Sequence, residues 1–151
     1  MSNILFVCET NCCVSQLAAS YVQSKLKEKG KLDDFAVSSR GLRVHRGDVV
    51  PKECIEAMRT AGIEPIAYFP RQITLKDVRV ADLIVCMSDA CVRKTASSFR
   101  SAEGKVILLL GLVGRKEDVF EPRHALEPNK NCLAMMAPAL DRLVDRLVDS
   151  F

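Results

Sequence analysis

Four short apolar runs, separated by segments with helical spacing, constrain this chain more than any other feature. They are NILFVC (Asn3–Cys8), FAVSS (Phe35–Ser39), ADLIVCM (Ala81–Met87) and KVILLLG (Lys105–Gly111). A strand with one wet face would alternate polar and apolar residues, so near-continuous runs of this length predict strands covered on both faces. Between the first two, Ser15–Lys29 predicts a helix. It has Leu17 and Tyr21 on one face, Val22 and Leu26 beside them, Ser15 placed to cap it and Gly30 to end it. Pro51–Thr60 predicts a second helix, with proline near its start and Gly62 beyond its end. A short helix carrying Asp77 is compatible with Thr74–Val80, and Asp89–Ser98 is left open between helix and loop. From Cys132 to Phe151, the residues Leu133, Met136, Leu140, Leu143, Leu147 and Phe151 form a stripe, widened by Val144 and Val148. Gly41–Val50, YFPRQIT and Gly111–Lys130 read as irregular segments, the last long enough to suggest a functional loop. Alternating strand and helix imply an α/β fold: a three-layer, doubly wound, four-stranded parallel sheet, in one domain over residues 1–151 with no linker.

Composition narrows the function classes. The 151 residues carry a net charge of only +3, with acidic and basic residues interspersed, so no clustered basic face for nucleic acid is expected. Two Tyr, six Phe and no Trp offer no stacking platform for bases. MSNILFVCETNC lacks the basic start and long apolar core of a signal peptide, and VILLLGLV is too short to cross a bilayer. A cytoplasmic monomer without membrane contact is the expectation. Seven cysteines, an odd number, fit buried or reactive thiols in a reducing compartment better than a disulfide framework.

In a doubly wound sheet, ligands bind beyond the C-terminal ends of the strands. The turn from Cys8 to Ser15 lies there, between the first strand and the first helix. Its amides and the helix start suit an anion, and a thiol placed among them is expected to ionise easily. Cys8 is thus a candidate nucleophile, weighed against the plainer reading of a small hydrophobe ending a buried strand.

The segment ILFVCETNCCVSQLAA resembles the signature V-C-x-G-N-x-C-R-S-P of the low-molecular-weight protein tyrosine phosphatases and their arsenate reductase relatives. SSRG (Ser38–Gly41) resembles the family's S-A-G turn, HRGDVVPKECIEAMRTAGI the region of its second helix, RQIT (Arg71–Thr74) its R-Q-L-T, and ADLIVCMSDA its A-D-L-I-x-x-M strand. The likeness covers roughly residues 3–115, and several pieces in the right order say more than one motif. It implies the fold already reached, a cysteinyl-phosphate mechanism without cofactor or metal, and phosphate, another small oxyanion or a phosphoprotein as partner. By the same resemblance Cys8 would be the nucleophile and Asn11 would hold the loop in shape. Cys13 would be the second loop cysteine, able to trap an oxidised Cys8, and Ser15 would hydrogen-bond the departing thiolate. Glu121 of Glu121-Pro122 would stand where the family's Asp-Pro provides a general acid.

The loop departs from that pattern. Val14 replaces the arginine that grips the oxyanion, Thr10 a glycine and Gln16 a proline, while Glu9 sits beside the nucleophile. A guanidinium supplies two aligned donors and a full charge, and valine supplies neither. Arg40, where the family has alanine, is the best candidate to substitute; with Arg43, His45 and Arg46 it otherwise reads as part of a solvated loop. His124 is a conceivable proton donor, although a surface histidine is the commoner reading. The implied function is a phosphatase-like protein with a degenerate phosphate loop and weak or absent hydrolysis. The alternatives are a thiol redox or sensor protein using Cys8 with Cys12 or Cys13, or an arsenate reductase-like enzyme. The reductase relay is weakened because Met87, not Cys86, aligns with the relay cysteine, leaving Cys86 as a core thiol and Cys91 beyond it. A zinc site from Cys8, Cys12 and Cys13 is not expected, since adjacent cysteines point apart and no C-x-x-C pair exists.

Overall fold

The computed structural model describes residues 1–122 and 125–150. Arg123 and His124, with the proton-donor reading of His124, and Phe151 of the terminal stripe lie outside the described residues.

Strand β1 (Ser2–Cys8) is the centre of the fold. Its side chains alternate between two cores: Ile4, Phe6 and Cys8 enter the larger one, Leu5 and Val7 the smaller one. Strands β2 (Phe35–Gly41), β3 (Leu83–Cys86) and β4 (Val106–Leu108) complete a parallel sheet in the order β2-β1-β3-β4. Helices α1 (Val14–Glu28), α2 (Lys52–Thr60) and α5 (Leu126–Asp149) supply the larger core with Leu17, Leu26, Met58, Met136 and Leu140, none exposed. Burial of each such side chain contributes about 1.5–3 kcal/mol. Helices α3 (Leu75–Val80) and α4 (Asp89–Ser98) cover the opposite face with Val78 and Cys91. The four-stranded, doubly wound α/β architecture is therefore as expected.

Several boundaries differ for identifiable reasons. Ser15 does not cap α1: the helix begins one residue earlier, and Cys13 at the cap position makes no side-chain cap bond. Gly30 does end it, at φ +68°, with Gly30 N–H donating to Lys27 O and Lys31 N–H to Leu26 O. β2 runs on through Arg40 and Gly41, which pair with Val7 and Cys8. Asp89–Ser98 is a helix because the Ser88 side chain accepts from Cys91 N–H at its start. β4 stops at Leu108, and Leu109–Val113 turns as a 3₁₀ segment that carries Leu109 and Leu110 into the larger core. The last helix starts six residues before the expected Cys132, at Leu126. Pro128 is tolerated in its first turn because the first amides of a helix have no intrahelical partner.

No helix among the described residues is long and apolar enough to cross a membrane.

Candidate active site

The parallel register leaves Cys8 at the C-terminal end of the central strand, beside Gly41. The chain then curls through Glu9–Cys13 into α1. Leu42 N–H donates to Cys8 O and Arg43 N–H to Glu9 O, so the segment after β2 closes one side of the curl. The approach is tight: a Cβ on Gly41 would sit 2.8 Å from the Thr10 carbonyl carbon and 3.0 Å from Asn11 Cβ. Thr10, which replaces the signature glycine, does not adopt positive φ; that conformation falls on Asn11, at φ 60°. Asparagine tolerates it better than most residues because its short side chain bonds locally. The Thr10 hydroxyl accepts from Cys12 N–H at 3.4 Å.

Three residues named from the resemblance meet here. Cys8 Sγ lies 2.9 Å from Ser15 Oγ and accepts from Asn11 N–H at 3.2 Å. Asn11 Nδ2 donates to Ser15 Oγ at 2.8 Å. Asn11 Oδ1 accepts from Arg71 N–H at 2.9 Å, fixing the loop to the segment before α3. Asn11 and Ser15 are both wholly buried. A residue whose part the sequence left unread completes the network: Gln16 Nε2 donates to Asn11 O and to Asn11 Oδ1, each at 3.1 Å. Gln16 stood out only as a departure from a proline; its reach to position 11 needed the loop's shape.

Charge is arranged differently from expectation. Val14 is 1% exposed and packs in the larger core, so its position points no polar group at the sulfur. Arg40 is already engaged, its Nε donating to Asp77 Oδ2 at 3.2 Å and its Nη1 to Ser39 O at 2.7 Å. Glu9 is held outward by Lys94, with Nζ 3.1 Å from Oε2. The thiol of Cys8, expected to ionise easily, is instead pushed up to about 11. Burial is the main cause and the Glu121 charge adds to it, against lowering by the Ser15 hydroxyl and the Asn11 amide. Glu121 itself is raised, by desolvation, although its side chain still touches solvent.

Four more cysteines lie in the loop or pack near it. Cys12 is raised, chiefly by burial. Cys13 is buried behind the loop, and its carbonyl lies 3.9 Å from Cys54 Sγ of α2. Cys54 is raised by the Cys13 thiol and by burial. Cys132 of α5 donates to Phe120 O at 3.5 Å and is pushed up to about 12 by burial, then by Glu121, Cys13 and Cys8. Nothing in their spacing placed Cys54 and Cys132 near the loop, since each arrives on a separate helix. Cys86 is a core thiol as expected, next to Cys91 and Thr95 on the far face. No group of three or more metal-binding side chains exists among the described residues.

Comparison with known proteins agrees with the geometry. The profile of the family described as low molecular weight phosphotyrosine protein phosphatase matches residues 3–150. A Klebsiella pneumoniae protein named as a putative low molecular weight protein-tyrosine-phosphatase is 28% identical over 83% of each chain. A low molecular weight protein tyrosine phosphatase from T. tengcongensis superposes with a TM-score of 0.87 at 26% identity, covering 97% of this chain and 99% of that one. The fold is also shared, at 22% identity and a TM-score of 0.85, with an arginine phosphatase from Geobacillus stearothermophilus, over 99% and 95% of the two chains. The strand, the cysteine-bearing curl and the helix that follows are thus arranged as this family arranges them, and the chain belongs to the low molecular weight phosphotyrosine protein phosphatase family.

Proposed function

We propose that this protein is a phosphatase-family member whose phosphate loop has lost its anion grip, so that it hydrolyses phosphomonoesters weakly or not at all and acts by binding. The observation that supports this best is the burial of Val14, 1% exposed, at the position of the signature arginine. Arg40, the candidate the sequence offers to replace it, is held by Asp77 and Ser39 O. Phosphoryl transfer depends on positioning and on positive charge meeting the transferring oxygens. Loss of one comparable electrostatic partner costs about 3 kcal/mol or more, roughly a hundredfold in rate. A neutral thiol at physiological pH deepens the deficit, because the thiolate is the nucleophile.

Any residual chemistry would use Cys8, Asn11, Cys13, Ser15 and Glu121. With its proton first given up to solvent, Cys8 sulfur would bond to phosphorus as the ester P–O bond breaks, with the Glu121 proton passing to the leaving oxygen. Water would then attack phosphorus, releasing the sulfur and giving its proton to Glu121. The partner class is a phosphate ester, a phosphoprotein or another small oxyanion. The chain acts as one domain and as a monomer, and its free thiols suit the cytoplasm. The raised thiols of Cys8 and Cys12 weigh against a redox sensor, which needs an easily ionised sulfur.

The test is phosphate release from a small aryl phosphate by the wild type and by Cys8→Ala. Rates indistinguishable between the two are expected. Strong turnover that vanishes in Cys8→Ala would end the proposal.

A further inference from the structure

A groove of about 750 Å³ runs along α2, and none of its lining belongs to the Cys8–Ser15 turn. Its apolar lining is Ile55 of α2 with Val49, Val50, Tyr68 and Phe69 of the segments that flank the helix in sequence. These segments are tied together. Val50 N–H donates to Tyr68 O at 3.1 Å, and the Arg59 guanidinium donates to the Tyr68 hydroxyl at 2.8 Å and lies 5.9 Å from the ring centre. Val49, Tyr68 and Phe69 nevertheless stay 54%, 46% and 66% exposed. Large apolar side chains that converge on one concave surface, rather than scattering singly, mark an interaction site. Charge specifies what fits. Lys52, Glu56 and Arg59 also line the groove and follow one face of α2. No ion pair joins them to each other or to any other described residue. The two cations stand two turns apart, about 10 Å, with the single acid between them, so the surplus charge is positive.

From this groove we infer a docking site for an extended segment of a partner protein in which a bulky apolar side chain lies between two carboxylates. An extended chain turns alternate side chains to one face, with residues four apart separated by about 13 Å. Acid, apolar and acid at alternate positions therefore set the carboxylates against Lys52 and Arg59 and the apolar group against Ile55, Tyr68 and Phe69. Outside its helices this chain carries that pattern once, at Glu117–Glu121, and there it is folded in. Val119 is buried and its N–H donates to Met87 O, while Asp118 accepts from Asp89 N–H. The occupant is accordingly another protein rather than a second copy. Because the groove shares no residue with the phosphate loop, the inference stands whether or not Cys8 turns over a substrate.

The experiment titrates the intact ¹⁵N-labelled chain with the synthetic peptide GGEAFAEGG, and with GGEAAAEGG and GGKAFAKGG for comparison. Saturable shifts of the amides from Lys52 to Arg59 and of Tyr68 and Phe69 are expected with the first peptide. Loss of its phenylalanine should weaken binding about tenfold or more, and exchange of its glutamates for lysines about fivefold or more. Phe69→Ser should weaken GGEAFAEGG about fivefold or more, whereas Lys52→Glu should weaken GGEAFAEGG and strengthen GGKAFAKGG. Both substituted side chains are exposed in the free protein, so an unchanged spectrum elsewhere reports an intact fold. Equal affinity for the acidic and basic peptides would overturn the inference, as would the absence of a saturable shift. Shifts confined to the Cys8–Ser15 amides would move the peptide to the phosphate loop and overturn it too. The same groove shifts appearing without peptide as the protein is concentrated would assign the groove to a second copy instead.

Discussion

Val14→Arg places a guanidinium where the family signature carries arginine, and its effect can be worked from the sulfur outward. With the Cys8 thiol at about 11, only about one molecule in 10⁴ carries the thiolate at neutral pH. Forming the nucleophile therefore costs about 5 kcal/mol before any chemistry. A guanidinium within a few ångströms lowers an acid by about one to three pKa units, which raises the thiolate fraction about tenfold to a thousandfold. Its donors on the transferring oxygens add about a hundredfold. Against this, Val14 leaves the core and a longer side chain must exit through the loop, at a cost on the order of 1–3 kcal/mol of stability. The expected result is a folded but less stable variant whose thiolate absorbance titrates at lower pH. It should also hydrolyse a small aryl phosphate at least about a hundredfold faster than the wild type. Cys8→Ala in the same background should remove both the titration and the turnover. A Val14→Arg chain that folds, melts near the wild type and still titrates near about 11 would refute the electrostatic reasoning.

Three other perturbations probe the loop. Asn11→Ala should cost about 3 kcal/mol or more in chemical denaturation, because it loses its side-chain bonds to Ser15 and Arg71 while keeping φ 60°. Asn11→Gly, free of that backbone penalty, should cost about 1 kcal/mol less than alanine. Gly41→Ala should destabilise by about 1–3 kcal/mol and shift the loop amide resonances, since the new methyl would lie 2.8 Å from Thr10 and from Val44 Cγ2. Alkali should unfold the protein through its thiols. Cys8 is raised from 9.0 to about 11, so both states hold the proton below about 9 and stability is full there. Between those values only the unfolded chain releases it, and stability falls by about 3 kcal/mol. Denaturation midpoints should drop across that window, and drop less in Cys8→Ala.

The fold was legible because its signals are local and repeated. NILFVC and ADLIVCM have no polar face to expose, and the stripe from Leu133 to Leu143 has one apolar side to bury. Boundaries were harder where two signals competed. Pro128 and Asn129 read as loop, yet a proline in the first turn removes no helical bond, and Asn129 Nδ2 donates back to Ala125 O. At the site, identities were legible and charge states were not. Cys8, Asn11 and Ser15 follow from a contiguous pattern, but the thiol's ionisation depends on depth, and depth depends on helices α2 and α5 arriving from distant segments. Arg40 shows the same limit: position 40 lies near the C-terminal end of β2, beside the strand that leads into the loop, but its side chain answers to Asp77, 37 residues away.

The curl is held by its own polar groups around Asn11. Asn11 N–H faces the sulfur, Asn11 Nδ2 faces Ser15, Asn11 Oδ1 takes Arg71 N–H, and Gln16 takes up the remaining acceptors at Asn11. Gln16, where a proline would donate nothing, is the substitution that makes this closure possible, and Val14 fills with carbon the position where a charged group would demand a counter-ion. The two replacements are therefore complementary. On the proposed reading, one takes away a charge that would meet phosphate, and the other supplies bonds that hold the backbone at Asn11.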